Sequence, residues 1–120
     1  MFFPESQVRV YLYGQPCDMR KSFRGLIALA KNAMSQDPLS GHLYVFVNKR
    51  GNYLKALYWD RSGFCIWAKR LERGNFISNW KTEQGREMDY TQLKMLLEGI
   101  EKRHQKNDFG FETGDVMYRN

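Results

Sequence analysis

The stretch that decides the fold runs from residue 42 to residue 70 and reads HLYVFVNKRGNYLKALYWDRSGFCIWAKR. It contains three runs rich in β-branched and aromatic residues, over 42–48, 53–59 and 64–70, separated by short polar segments. Such runs are typical of β-strands, and the Asn, Asp, Ser and Gly residues between them are typical of tight turns. Because short connections join antiparallel neighbours, the stretch predicts a three-stranded antiparallel meander.

Both faces of this predicted meander are apolar. If the loops span 49–52 and 60–63, Val47 lies opposite Leu54 and Trp59 lies opposite Phe64. One face then collects Leu43, Val45, Val47, Leu54, Ala56, Tyr58, Cys65 and Trp67, and the other collects Tyr44, Phe46, Leu57, Trp59, Phe64 and Ile66. A sheet with one face in water would carry polar residues on that face. We therefore expect both faces to be covered, by two helices or by one helix and a partner.

A further strand and two helices flank the meander in the sequence. Residues 8–13 are β-branched and aromatic, which predicts a strand. Apolar residues recurring at steps of three and four predict amphipathic helices over roughly 18–35 and 90–103, the first of them capped by Asp18. The sequence therefore predicts an α+β fold, with a mostly antiparallel sheet of about four strands, including the meander, and two main helices.

The length of the chain, 120 residues, is that of one domain. Residues 1–103 form the predicted domain, and residues 104–120, which show no periodicity, form a predicted flexible C-terminal tail. The sequence shows no signal peptide and no apolar stretch long enough to span a membrane. Cys17 and Cys65 lack metal-binding spacing and are expected to be free thiols. We expect a cytoplasmic protein with no metal, no cofactor, no small-molecule substrate and no membrane association.

Positive charge is concentrated in the first part of the chain. The 19 Lys and Arg residues exceed the 13 Asp and Glu residues, which gives a net charge of +6. Residues 1–73 hold 12 basic and 5 acidic residues, whereas residues 74–120 hold 7 basic and 8 acidic residues. A basic domain favours a polyanionic partner, most often nucleic acid. The alternative is that the charge serves solubility.

The basic residues form three clusters, which we expect to contact DNA phosphates. They are Arg20, Lys21, Arg24, Lys49, Arg50, Lys69, Arg70 and Arg73. Three aromatic residues between these clusters, Tyr44, Phe46 and Trp59, are candidates for stacking on bases or for contacting a partner protein. The alternative is that they belong to the core. No DNA-reading motif is recognisable, so sequence-specific recognition is not predicted.

Patterns that indicate catalysis are missing from the sequence. It has no Ser-His-Asp pattern, no Gly-rich phosphate loop and no His-Glu-x-x-His motif. A two-metal nuclease needs several converging carboxylates, whereas Asp18, Asp37 and Asp60 lie at predicted cap and turn positions. His42 begins a predicted strand and is expected to have a structural role. We therefore expect a protein that is not an enzyme.

Five blocks of the sequence resemble, in order and in spacing, one family of bacterial proteins. The segment DMRKSFRGL at 18–26 is similar to the family's pattern D-M-R-K-[small]-F-x-G-L. The other blocks are DPLSGHLYVF at 37–46, LYWD at 57–60, GFCIWAKRLERG at 63–74 and LLEGI at 96–100. Over about residues 7–103 the chain thus resembles the TnpB-type accessory protein (Orf2-like) of the insertion-sequence sixty-six family of bacterial transposable elements.

This resemblance implies a non-catalytic accessory role in DNA transposition. Such proteins are encoded beside a separate transposase, which cuts the strands, and beside a further small protein. The family supplies no catalytic residues to transfer to this chain. Together with the charge, the resemblance predicts that the protein binds the DNA backbone and helps assemble the transposase, with DNA, the transposase and other proteins of the element as partners. The alternative is an adaptor that docks onto the transposase through an exposed aromatic sheet face without binding DNA directly.

Overall fold

A computed structural model of the protein describes residues 8–77, 80, 87–88, 90–98, 100–102 and 116–118. The elements are β1 (Val10–Leu12), α1 (Phe23–Ala28) continued by a π-helical turn (Leu29–Ala33), β2 (Leu43–Val47), β3 (Tyr53–Asp60), β4 (Gly63–Arg70), β5 (Glu87–Met88), α2 (Tyr90–Glu98), β6 (Ile100–Lys102) and β7 (Val116–Tyr118). The fold class is α+β, as predicted, because both helices and a mostly antiparallel sheet are present.

The main sheet has five strands in the order β4-β3-β2-β1-β5. Strands β2, β3 and β4 form the predicted meander in the predicted register, with Val47 opposite Leu54 and Trp59 opposite Phe64. The second turn is tighter than expected, since Asp60 still pairs with Gly63. The predicted fourth strand is β1, which pairs with β2 in the parallel direction and with β5 in the antiparallel direction. Strands β6 and β7 form a separate antiparallel pair.

Each face of the sheet is covered by one helix, as the two apolar faces require. Helix α1 and the π-helical turn bury Leu26 and Ala30 against Tyr44, Phe46 and Leu57. On the opposite face, α2 contributes Leu93 and Leu97 to a core that includes Leu43, Val45, Val47, Leu54, Ala56, Leu71, Phe76 and Ile77. The meander thus lies between two apolar layers, which is the arrangement that a sheet with no polar face needs.

Helix α1 begins five residues later than predicted, at Phe23. Asp18 does not cap it: the Asp18 Oδ1 atom accepts a hydrogen bond of 2.9 Å from the backbone N–H of Arg20 and forms a turn before the helix. Short acidic side chains favour such turns as readily as they favour helix caps, so the sequence does not separate the two. The residue at the N-cap position is Ser22, which makes no capping hydrogen bond with its side chain.

Helix α2 ends at Glu98, before the predicted end at residue 103, and Ile100–Lys102 form β6 instead. The predicted boundary between domain and tail, after residue 103, lies outside the described residues. The division into a domain and a flexible tail therefore stays a prediction. Within the predicted tail, Val116–Tyr118 form β7 and pair with β6.

Gly51, in the turn between β2 and β3, contacts the segment that follows β4. Its φ angle is +77°, and its carbonyl accepts a hydrogen bond of 2.6 Å from the backbone N–H of Phe76. A Cβ atom at this position would lie 2.5 Å from the carbonyl oxygen of Ile77. Both the backbone conformation and the close contact therefore favour glycine here.

Candidate nucleic-acid interface

The three basic clusters lie at the same end of the main sheet. Strand β1 is parallel to β2, and β4, which is antiparallel to β3, runs in that same direction. The chain therefore leaves all three strands at one end of the sheet. The clusters at 20–24, 49–50 and 69–73 follow or end these three strands.

Hydrogen bonds between backbone groups hold these segments together at that end. The backbone N–H of Cys17 donates to the carbonyl of Val47 at 2.8 Å, and the N–H of Leu71 donates to the carbonyl of Asn52 at 2.8 Å. Three stretches that are far apart in the sequence thus meet at one end of the sheet. We call this region the basic end and define it by Arg20, Lys21, Arg24, Lys49, Arg50, Lys69, Arg70 and Arg73.

The side chains of the basic end are exposed except for that of Lys69, which is half-buried. The segments 18–24, 49–50 and 69–73 contain two acidic residues, Asp18 and Glu72, against the eight basic ones. Guanidinium and ammonium groups at this density produce a positive potential that attracts phosphate groups. The arrangement is chemically suited to binding an anionic polymer.

Arg20 is partly neutralised within the basic end. Its Nη2 atom lies 2.7 Å from Oδ2 of Asp18, and its Nε atom donates to the same carboxylate. The hydrogen bonds from Arg20 lower the pKa of Asp18 to about 2, so this carboxylate stays charged at neutral pH. Because both groups are exposed, the pair contributes little to folding stability.

Two other members of the basic end interact with neighbouring elements. The Lys69 ammonium donates a hydrogen bond of 2.7 Å to the carbonyl of Leu97, near the C-terminal end of α2. The guanidinium of Arg70 lies over the ring of Tyr53, with its Cζ atom 4.6 Å from the ring centroid. Lys69 therefore supports the helix, whereas Arg70 forms a cation–π pair on the opposite face of the sheet.

Two of the three aromatic residues that were expected to lie on a binding surface are buried instead. Tyr44 and Phe46 have no exposed area because α1 and the π-helical turn cover them. The part of the aromatic sheet face that Tyr44 and Phe46 form, which the adaptor alternative required to be exposed, is therefore buried. Trp59 is half-buried and contacts Phe64 edge to face, with centroids 5.0 Å apart, at the end of the sheet opposite the basic end.

Sequence reasoning missed the role of Lys55 in positioning the first cluster. The Lys55 Nζ atom donates hydrogen bonds of 2.8 Å to the carbonyls of Met19 and Lys21, and so holds the turn before α1 to β3. A signal was present, because Lys55 is a charged residue inside a predicted strand, on a sheet face whose other charged residue, Arg70, lies at the end of its strand. Such a residue needs polar partners when it is partly buried.

The remaining candidates for chemistry have structural roles. The backbone N–H of Arg9 donates a hydrogen bond of 3.0 Å to Nδ1 of His42, in agreement with the structural role expected of this histidine. Cys17 and Cys65 are free thiols, and burial raises the pKa of Cys17. The part of the chain that the structure describes contains no cluster of three or more His, Cys, Asp or Glu residues that could hold a metal ion. Among the same residues, no helix is long and apolar enough to cross a membrane.

Comparison with known proteins identifies the family. The chain is 34% identical over 101 residues to the uncharacterized protein y4jC of Sinorhizobium fredii (strain NBRC 101917 / NGR234), covering 84% of this chain and 86% of that protein. It is 36% identical over 99 residues to the uncharacterized protein y4hO of the same strain, covering 81% and 84% of the two chains. No solved structure shows a significant match. The model of the IS66 Orf2 like protein family matches residues 8–107, and the chain belongs to this family, which links it to transposition of an insertion sequence.

Proposed function

We propose that this protein is a non-catalytic accessory factor that binds the DNA backbone through its basic end and so helps assemble the transposase on the DNA of its element. The observation that carries the proposal is the convergence of three separate basic clusters at one end of the sheet. Family membership supports a role in transposition. The protein would act in the bacterial cytoplasm, where the element's DNA lies.

The physical basis of this binding is electrostatic. Lys and Arg side chains that contact phosphates release condensed counterions, and this release drives binding with little dependence on base sequence. Phosphate contacts fix the position of a protein on a duplex without reading bases. A factor with such contacts can bring a transposase to DNA while the transposase itself supplies the recognition of the element ends.

A charge-removal experiment tests the proposal. The triple variant Arg24→Gln, Lys49→Gln, Arg50→Gln removes three exposed charges from two clusters of the basic end. In fluorescence anisotropy at low salt, we expect its affinity for duplex DNA to fall about tenfold or more. The control is Lys31→Gln with Arg61→Asn, which removes two exposed charges outside the basic end, because Arg61 lies in the turn at the opposite end of the sheet and Lys31 in the π-helical turn. Equal losses in both variants, or no loss in the triple variant, would overturn the proposal.

A second candidate function, docking onto the transposase, is favoured by the outer edge of β4. Among the described residues, β4 is a terminal strand of the sheet, and no strand pairs with its outer side. It spans eight residues, of which Phe64, Cys65, Ile66 and Trp67 are half-buried. A long apolar edge of this kind can accept an extended segment of a partner as an additional strand. The occupant we propose in this case is a strand of the transposase.

The variant Ala68→Lys separates the two functions. Ala68 is an exposed position of β4, and a lysine there opposes the addition of a partner strand. The substitution leaves all the basic residues that favour DNA binding in place. If β4 is the docking edge, purified transposase is retained by the wild-type protein in a pulldown without DNA and is lost with the variant. If both proteins retain the transposase equally, or neither retains it, the β4 edge is not the docking site.

A further inference from the structure

A tyrosine and an arginine form a stacked pair at one side of the basic end. Tyr53 and Arg70 are paired residues of β3 and β4, so their side chains share one face of the sheet. The Cζ atom of Arg70 lies 4.6 Å from the centroid of the Tyr53 ring, and Nζ of Lys55 lies 6.0 Å from it. Lys55 also donates to the carbonyl of Lys21. The Tyr53 ring is therefore close to the segment that leads into α1.

Phe23 extends the same side of the basic end. It shares the three- and four-residue spacing of Leu26 and Ala30, which are fully buried against the sheet, but 46% of its own surface is exposed. Its neighbours in the sequence include the exposed Lys21 and Arg24. Among the described residues the other exposed large hydrophobic side chains, Leu39 and Met95, are not aromatic. Phe23 is thus an exposed ring with exposed cationic residues near it in the sequence.

Aromatic rings beside cationic groups are suited to a particular form of nucleic acid. Bases that are not paired stack on Phe, Tyr or Arg side chains, while basic groups follow the phosphates. In an intact duplex the flat faces of the bases are covered by their neighbours. Rings on a protein surface therefore contribute to binding only where bases are unstacked.

We propose that this side of the basic end binds single-stranded DNA, with Phe23 and Tyr53 stacking on bases and Lys21, Arg24 and Arg70 contacting phosphates. The inference rests on the proposed DNA binding and adds a preference for unpaired strands. Such strands occur where transposon ends are opened or processed. The guanidinium of Arg70 lies over the Tyr53 ring, so a phosphate that it binds would lie beside a base stacked on that ring.

An oligonucleotide that lacks bases separates stacking from charge. Wild-type protein is titrated by fluorescence anisotropy against labelled oligothymidylate and against an abasic oligonucleotide of the same length, which keeps the phosphates. We expect oligothymidylate to bind about tenfold or more tightly, since each stacked base contributes measurably to affinity. Equal affinity for the two would overturn the inference while leaving backbone binding intact. Absence of binding to both oligonucleotides and to duplex DNA would instead contradict the proposed function itself.

Variants that remove an aromatic ring test whether Phe23 and Tyr53 cause the preference for strands that carry bases. Phe23→Ala and Tyr53→Ala are expected to reduce the difference between oligothymidylate and the abasic strand severalfold each, with duplex affinity changed less than about twofold. Phe23→Tyr and Tyr53→Phe keep the rings and are expected to retain the preference even where an alanine variant folds poorly. Leu39→Ala, at an exposed apolar residue outside the basic end, is the control. If the alanine variants keep the full preference, stacking involves other residues and the inference is wrong.

Discussion

Tyr44 shows how one buried polar atom can position a turn of the chain. Its hydroxyl donates a hydrogen bond of 2.9 Å to the carbonyl of Asp37 and lies 2.8 Å from Oγ of Ser40. Burial raises the pKa of the Tyr44 hydroxyl, so the group remains a donor at neutral pH. The ring belongs to the core beneath α1, while the hydroxyl anchors the turn that leads into β2.

Removing this hydroxyl is expected to destabilise the protein without changing its fold. We expect Tyr44→Phe to lower the free energy of unfolding by about 1–2 kcal/mol, because the part-buried hydrogen bonds that join the hydroxyl to Asp37 and Ser40 are lost. Urea unfolding followed by fluorescence measures the difference. The control is Tyr53→Phe, where the contacts shown by the structure involve the ring. Equal stability of the Tyr44→Phe variant and the wild type would show that the hydroxyl has no anchoring role.

At single residues, the sequence predicts chemistry better than it predicts location. The basic residues and their clustering are visible in the sequence, and their exposure follows from their charge. The burial of Tyr44 and Phe46 agrees with the core alternative, but the sequence does not show whether a helix of this chain or a partner covers their face of the sheet. Asp18 shows the same limit, since its short side chain suits both a cap and a turn.

At the scale of elements, the register of the meander was predictable, and its strand ends were predictable to within one residue. Its strands are defined by polar turns on both sides, and hairpin connections leave few possible registers. The parallel pairing of β1 with β2 was not predictable, because α1 separates these strands and no local turn specifies the pairing. That pairing brings the first basic cluster to the end of the sheet where the other two lie. The candidate site therefore depends on a strand contact that the sequence does not specify.

The contact between Lys69 and α2 links the third cluster to a helix. Carbonyls in the last turn of a helix lack partners within the helix, and a cation there also opposes the negative end of the helix dipole. We expect Lys69→Met, which keeps most of the side-chain length, to lower the free energy of unfolding by about 1–2 kcal/mol. Amide hydrogen exchange in α2 should accelerate more than exchange in β2.

The same variant separates a structural role from a DNA-binding role for Lys69. Since its ammonium donates to Leu97, we expect Lys69→Met to reduce DNA affinity less than the loss of an exposed charge such as Lys49. The matched comparison is Lys49→Met, which should weaken DNA binding while leaving stability nearly unchanged. Unchanged exchange in α2 together with a larger loss of DNA affinity would show that Lys69 acts mainly on the ligand.

At the scale of the whole molecule, the fold separates its charge from its core. Two helices cover the two apolar faces of the sheet, and the segments at one sheet end carry the basic end. The net charge of +6 is thus not spread evenly, because three clusters within residues 1–73 meet at that end. A protein whose task is to hold DNA for a separate transposase, as we propose, needs a basic surface of this kind.

The salt dependence of duplex binding tests this central claim most directly. The affinity of the wild type and of the triple variant Arg24→Gln, Lys49→Gln, Arg50→Gln is measured by anisotropy over a series of salt concentrations. Each phosphate contact contributes about 0.9 to the slope of log affinity against log salt, so we expect the slope of the variant to be shallower by about 2 to 3. Identical slopes for the two proteins would contradict the account, because they would show that DNA does not contact the basic end.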